Sequence, residues 1–384
     1  MRIGFVVHQF FPRHHTGTEQ YVRALAREAI RRGDDARVLT HEPHLAATTP
    51  GRAVVDDDVE GIPVRRVAVA RGVVANPVLA DHVHPLHALL ARRWLEEWRP
   101  QALHVFHLLG LGSSVLLEAA DLGIPVVFHA TDFWTVCPIA TLTLPHGEAC
   151  EGPPDGGLGC FGCLHRPVGE RLDREQLVGE VQAIRDAAGA LRLHRPLLGA
   201  LAFGLVGRRE ELVARVSGAR AVVAPSRFLL ETLARHGFER DRLSLIPYGL
   251  DLARLEGLRE RSAGPIAFGY FGTLAPHKGV HVLLEAFRAV PGDARLVVRG
   301  NPDDFPDYSA RLRRLAEGDD RIALAPPFPP SGLGAALSEI DALVVPSLWH
   351  ENTPFVALEA LAARRGAARV ALGHQADDQA ETVL

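Results

Sequence analysis

"IAFGYFGTLAPHKGVHVLLEAFRAV", residues 266–290, runs from an apolar segment through a short polar loop into an amphipathic one. It holds Lys278, the only lysine among 42 Lys and Arg residues. "IAFGYFG" reads as a buried strand, Thr273 to His277 as a loop, and "GVHVLLEAFRAV" as a helix starting near Lys278–Gly279. A strand–loop–helix unit of this kind belongs to a parallel sheet covered by helices. The helix N-terminus offers unpaired N–H groups and partial positive charge, which suits a phosphate or diphosphate. A lysine there adds a compact charge on a flexible stem, able to follow a leaving group as its charge grows. The bland alternative is a solvated lysine beside an ordinary turn.

The same alternation extends in both directions. "RIGFVV" leads through "HQFFPRHHTGTEQ" into "YVRALAREAIRRG", where Tyr21, Leu25 and Ala29 share a helical face. "ARVLT", "ALHVFH", "IPVVFHA" and "RAVVAPS" read as strands, and "LLEAADLG" and "RFLLETLARHG" as helices, the first ended by Gly123. Beyond the lysine loop come "ARLVVRG", "YSARLRRLAEG", "RIALAPP", "ALVVPS" and "PFVALEALAA". The polar stretch "EGLRERSAGP", 256–265, marks a hinge region. The expected fold class is α/β: two doubly wound Rossmann-like domains, 1–245 and 246–363, facing a cleft at the carboxyl ends of both sheets. Residues 364–384 form a separate tail.

Composition narrows the function classes. The chain has 384 residues, 47% hydrophobic and 23% charged, with a net charge of −4. No basic field advertises a nucleic-acid partner, and none is expected. "MRIGFVVHQF" is a first strand, too short for a signal-peptide core. No apolar run is long enough to cross a bilayer. "PLLGALAFGLV", 196–206, flanked by Arg195, Arg208 and Arg209, reads as a buried helix, with shallow membrane contact as the alternative. The expected compartment is the cytoplasm, with the inner membrane face as a peripheral site.

In "PSLWHENTPFVALEALAA", 346–363, Glu351 sits in a loop and Glu359 eight residues on in the following helix. At the carboxyl edge of a sheet they could accept hydrogen bonds from hydroxyls at two ends of one nucleotide sugar. The alternative is a solvated helix surface, and spacing alone does not decide between them.

Taken together, these residues resemble the retaining glycosyltransferase superfamily with the GT-B fold. The resemblance runs from "FFPRHHTGTEQYVRALAREAIRRG" through "VVAPSRFLLETLARHG", "IPYGLD" and "FGTLAPHKG" to "DALVVPSLWHENTPFVALEALAA", most of residues 1–363. It implies transfer of a sugar, with retention, from a UDP- or GDP-linked donor to a sugar or lipid-linked acceptor hydroxyl, in polysaccharide or glycoconjugate synthesis. Lys278 would hold the diphosphate, Glu351 the transferred sugar and Glu359 the ribose. Gly272, Thr273, Gly279, Asn352 and Thr353 would complete the donor site. The amides near Gly17 and Thr18 would lie against donor phosphates and acceptor. No cofactor is required for catalysis. Two departures stand out: Thr273 occupies a place often held by arginine, and Thr131 stands where a histidine would precede Asp132. His129, two residues earlier on the same strand face, is the candidate replacement, and His107 is another; each could equally be a satisfied core histidine.

All four cysteines fall in "CPIATLTLPHGEACEGPPDGGLGCFGC": Cys137, Cys150, Cys160 and Cys163. The closing C-x2-C suits a tetrahedral thiolate site, zinc or an iron–sulfur cluster, in a segment poor in large apolar residues. His146 and His165 are spare ligands; disulfides and unligated thiols are the alternatives.

After Ala363 the chain departs from the family pattern. "ALGHQADDQAETVL" resembles the tRNA lysidine synthetases and related PP-loop enzymes, over about the last twenty residues. The reading is of a foreign tail on an incomplete second domain, with "ARVAL" able to fill one strand slot. The alternative functions are an inactive or binding-only truncated protein, and an ATP-dependent RNA-modifying fragment, which would need a Ser-Gly-Gly phosphate loop that the chain does not contain.

Overall fold

The computed structural model describes residues 1–42, 44–45, 53–68, 82, 84–144, 147–164, 204–250, 252–259, 264–329, 331–363 and 369–372. His146, His165, residues 196–203 and residues 373–384 lie outside them. The chain divides into two units, Met1–Pro247 and Tyr248–Leu384.

In the first unit eight strands form one sheet: β1 (Arg2–Val7), β2 (Asp35–His41), β3 (Val54–Val59), β4 (Ile62–Val67), β5 (Ala102–Val105), β6 (Val126–His129), β7 (Ala221–Ala224) and β8 (Leu243–Leu245). Their order is β3-β4-β2-β1-β5-β6-β7-β8, parallel except for the β3–β4 pair. Among the described residues the longer helices beside it are α1 (Gly17–Arg31), α2 (Pro85–Trp98), α3 (Ser114–Asp121), α4 (Arg208–Ser217) and α5 (Arg227–Arg235). The strands are apolar on both faces, as helix-covered parallel strands must be: Phe5, Val6, Val7, Val38, Leu39, Leu103 and Val105 are all buried. Order reverses between β1 and β5, which makes their carboxyl ends the switch point of this sheet.

The β3–β4 hairpin and α2 go beyond the sequence reading. The hairpin turns through Glu60 and Gly61, both at positive φ (53° and 84°), the two-residue geometry that matches strand twist. Asp56 and Arg65 face each other across it and pair at 2.7 Å. The expected stripe on α1 also shifts: Tyr21 and Ala29 are buried with Val22 and Ala26, while Leu25 is half-buried.

The second unit has five parallel strands, β9 (Ala267–Phe271), β10 (Arg295–Arg299), β11 (Ile322–Ala325), β12 (Ala342–Val345) and β13 (Arg369–Leu372), in the order β11-β10-β9-β12-β13. Its helices are α6 (Val280–Arg288), α7 (Pro306–Ala316), α8 (Leu333–Leu337) and α9 (Phe355–Ala362). Neighbouring residues of β9 serve opposite faces. Tyr270 joins a core with Leu284, Phe287, Leu296 and Leu312 under α6 and α7. Phe271 joins another with Leu337, Leu343, Ala357 and Ala360 under α8 and α9. The switch point lies between β9 and β12. "RVAL" does take a strand slot, parallel to β12 with Leu343 opposite Val370.

Burial holds several imidazoles neutral: it takes His104 and His277 down to about 4, and His87 and His129 to about 3 with help from neighbouring imidazoles. The unfolded chain, titrating near 6.5, binds these protons first. Their contribution to stability is therefore present above about pH 6.5 and is lost as pH falls towards about 4. Urea unfolding midpoints should drop over that interval; a flat profile there would show that these rings are not buried neutral.

Candidate functional site

At the β9–β12 switch point the structure brings together Lys278 and Glu351, which lie 73 residues apart in sequence. Lys278 closes a short 3-10 turn, Pro276–Lys278, after β9. Glu351 follows β12 in an irregular loop, bent at Leu348–Trp349, that also carries Ser347 and Trp349. Lys278 Nζ donates to Glu351 Oε1 at 2.6 Å. Ser347 Oγ (2.6 Å) and Trp349 Nε1 (2.8 Å) donate to the same oxygen. Burial opposes ionisation of Glu351, but the Lys278 charge and these three hydrogen bonds outweigh it and hold the carboxyl below its usual range. The ammonium also lies 4.6 Å over the Trp349 ring. Its side chain keeps 22% exposure, against 8% for Glu351, so the lysine is the member of the pair that a ligand can reach.

Gly279 makes this turn feasible. It is the N-cap of α6 at φ 68°, and a Cβ there would lie 2.0 Å from the Pro346 carbonyl oxygen. The helix start is thus pressed against the end of β12, and Leu348 N–H donates to His277 O at 2.9 Å across the same gap. Gly272, just after β9, donates its N–H to Arg299 O at 3.1 Å, and Tyr270 Oη donates to Thr273 O at 2.7 Å.

Glu359, on α9, is buried at 4% exposure and is held by the Arg254 guanidinium. Asn352 is buried at the N-terminal side of α9, and Thr353 Oγ1 donates to the Asn352 carbonyl. Lys278, Gly279, Glu351, Asn352, Thr353 and Glu359 therefore all belong to one unit. Arg254 had no sequence signal, since its partner is 105 residues away. Ser347 and Trp349 lie only four and two residues before Glu351, but the bend at Leu348–Trp349 that turns them onto its carboxylate carried no sequence signal.

In the first unit, Gly17 and Thr18 open α1, whose N-cap Thr16 makes no side-chain bond to the first-turn amides. Its hydroxyl instead donates to the buried Glu19 at 2.5 Å. At the β1–β5 switch point the His8 and His107 rings approach to 4.4 Å. His107 Nδ1 accepts from Leu109 N–H at 3.2 Å, which places the ring proton on Nε2, 3.1 Å from Asp132 Oδ2. Asp132 Oδ1 accepts from Trp134 N–H at 2.8 Å. Both nitrogens of His107 are thus engaged; it braces the loops after β5 and β6. His129 ends β6, beside β5, but its side chain is turned into the core. It is 2% exposed among Tyr21, Phe106 and His104, the surroundings of a core histidine.

Cys137, Cys150, Cys160 and Cys163 form no disulfide and line one small cavity. Burial and the three neighbouring thiols push Cys160 up to about 12. Among the described residues no group of three or more His, Cys, Asp or Glu has metal-holding geometry, so the expected tetrahedral site is not formed in this conformation. No helix among the described residues is long and apolar enough to cross a membrane.

Two doubly wound sheets, each with polar groups gathered at its switch point, define the GT-B class of fold. The chain matches the glycosyl transferase 4-like domain over residues 16–249 and glycosyl transferases group 1 over residues 265–376, past Ala363 and through β13. It belongs to this glycosyl transferase family. D-inositol 3-phosphate glycosyltransferases of Xylanimonas cellulosilytica and Nocardia farcinica are similar to it at 30% and 28% identity, each over 41% of this chain and 42% and 40% of their own. The chain thus spans about two fifths of the length of the curated relatives it matches. Similar solved structures include sucrose-phosphate synthase from Thermosynechococcus elongatus (TM-score 0.60, 14% identity, 100% of this chain and 88% of that one). Anabaena HepE in complex with UDP-glucose is another (0.58, 15%, 97% and 81%). At such identities the likeness is one of fold.

Gly279→Ala should destabilise the second unit by about 1–3 kcal/mol, because the new Cβ meets a backbone carbonyl and the left-handed φ is strained. Chemical denaturation checks this, and an unchanged midpoint would show that the turn readily moves away from Pro346.

Proposed function

We propose that this protein transfers a sugar, with retention, from a nucleotide-sugar donor to an acceptor hydroxyl. The observation that carries the reading is the accessible Lys278 ammonium at the β9–β12 switch point, beside the α6 N-terminus and oriented by Glu351. Anionic ligands of open α/β sheets bind outside the carboxyl ends of strands at such a point. Similar folds occur in a structure described as a complex with UDP-glucose, which supports a nucleotide-linked sugar as donor.

In this reading the second unit holds the donor. The diphosphate draws Lys278 partly away from Glu351 and settles over Gly272, Thr273 and the Gly279 end of α6. Glu351 and Asn352, with Thr353, face the sugar hydroxyls, and Glu359, steadied by Arg254, takes the ribose. With no arginine at Thr273, the charge that develops on the leaving phosphate falls mainly to Lys278 and the helix end. The bond from the anomeric carbon to the phosphate oxygen breaks while the acceptor oxygen bonds on the same face. The hydroxyl proton passes to the departing phosphate oxygen. The first unit provides the acceptor side, at Gly17 and Thr18 and near His8 and His107; a sugar or lipid-linked acceptor places the reaction in glycoconjugate synthesis at or near a membrane surface. His129 contributes through packing.

Lys278→Ala should lower transfer by about 2–4 kcal/mol, roughly 30- to 1,000-fold. Lys278→Arg should recover only part of it, because a planar fork cannot follow the leaving oxygen as a compact ammonium does. Release of UDP or GDP across a donor panel is the measurement. A nucleoside diphosphate that binds without any turnover would favour the binding-only reading, and an unchanged Lys278→Ala rate would remove the lysine from the chemistry.

A further inference from the structure

The cysteine loop is unused by the glycosyl-transfer reading, and its construction is specific. From Cys137 to Leu164 the chain has little regular structure: an isolated bridge between Thr143 and Ala149, a 3-10 segment Pro154–Cys160, and one helical turn, Phe161–Leu164. Yet four thiols distant in sequence converge on a single cavity of about 20 Å³, with Leu142, Leu144 and three prolines as its other main walls. That is room for one atom-sized occupant.

The backbone is shaped around the first sulfur. Ala140 and Leu142 are both at positive φ (61° and 48°), unfavourable for residues with a Cβ. That curl turns the amides of Leu142, Ile139 and Thr141 towards the Cys137 sulfur, although burial outweighs them and holds the thiol above its usual range. A neutral thiol is a poor acceptor and gains little from three donors; a thiolate or metal-bound sulfur gains much. Arg208 adds a buried positive charge whose field reaches both Cys137 and Cys160. It is fixed by a 2.7 Å bond to the Trp134 carbonyl and lies 5.2 Å over the Trp134 ring. The far side of the loop is pinned to the start of α4: Gly207 N–H donates to Gly156 O at 3.1 Å, and a Cβ on Gly157 would strike the Leu205 carbonyl at 2.1 Å.

We propose that Cys137, Cys150, Cys160 and Cys163 bind a single zinc ion that fixes this loop against the start of α4. On binding, each thiol gives up its proton and forms one Zn–S bond, with no change of oxidation state. The site carries a net charge of two negatives, offset in part by Arg208 and the amides at Cys137. The four sulfurs do not yet stand in ligating geometry, so binding contracts the loop by small movements of Cys150 and Cys163, the two partly exposed members. An iron–sulfur cluster needs far more room than the cavity offers, and a lone ion fits it.

This inference is independent of the glycosyl-transfer reading and is tested without any activity. The full chain is purified under reducing conditions without chelator and analysed for metals and thiols. About one zinc per chain is expected, released with the loss of protection of four thiols when a mercurial titrates them. Cys160→Ser should lower zinc content several-fold; if that variant does not fold, cobalt substitution of the unaltered protein should give a thiolate-to-cobalt charge-transfer band with tetrahedral features. Reduced protein that takes up neither zinc nor cobalt while all four thiols react freely overturns the proposal. So do iron in place of zinc, or a mass showing native disulfides among the four cysteines.

Discussion

Lys278 and Glu351 form a charge pair at 2.6 Å that ties the end of β9 to the end of β12, and the arrangement of the second unit's candidate site follows from it. A buried carboxylate is costly unless its charge is met. Glu351 is met three times over, by Lys278, Ser347 and Trp349, all on one oxygen. Those contacts fix the Trp349 ring, which in turn bounds the ammonium on its other side. The pair is asymmetric in exposure: the Lys278 side chain is 22% exposed and that of Glu351 8%.

In the proposed reading, the pair also accounts for the one lysine in a chain so rich in arginine. A guanidinium would satisfy Glu351 bidentately and lie flat on Trp349, a more stable arrangement that gives up less readily. An ammonium makes one short bond to a single oxygen and can pivot on its stem. The left-handed Gly279 beneath it lets α6 start within van der Waals reach of the Pro346 carbonyl, so charge and helix end sit together.

The first unit uses polar groups differently. Its switch point is lined with aromatic and imidazole rings: a chain runs from Leu109 through His107 and Asp132 to Trp134, while His8 Nδ1 is buried with no hydrogen-bond partner. Trp134 then carries Arg208, which lies against the cysteine loop. The loops after β5 and β6 and the start of α4 are thereby joined in one chain of contacts, which explains how a segment so poor in secondary structure can hold a defined shape.

Strand–helix alternation and the strand–loop–helix unit around Lys278 were legible in the sequence, because period-two and helical apolar patterns and a lone residue type are local properties. The hairpin at Glu60–Gly61 was not read from the sequence, because the charged strand Val54–Val59 hid the pattern. Which histidine would face the switch point was not: His107 and His129 both end apolar runs, and only the packing of Tyr21, Phe106 and His104 around His129 separates them. Nor could the chain reveal that Arg254 would reach Glu359, or that four cysteines would share one cavity. Sequence by itself determined the α/β architecture and the chemical groups on offer, since backbone period and residue type are written locally. The fold alone decided which of those groups meet, since contacts between residues a hundred positions apart depend on strand order and on which face each side chain is given.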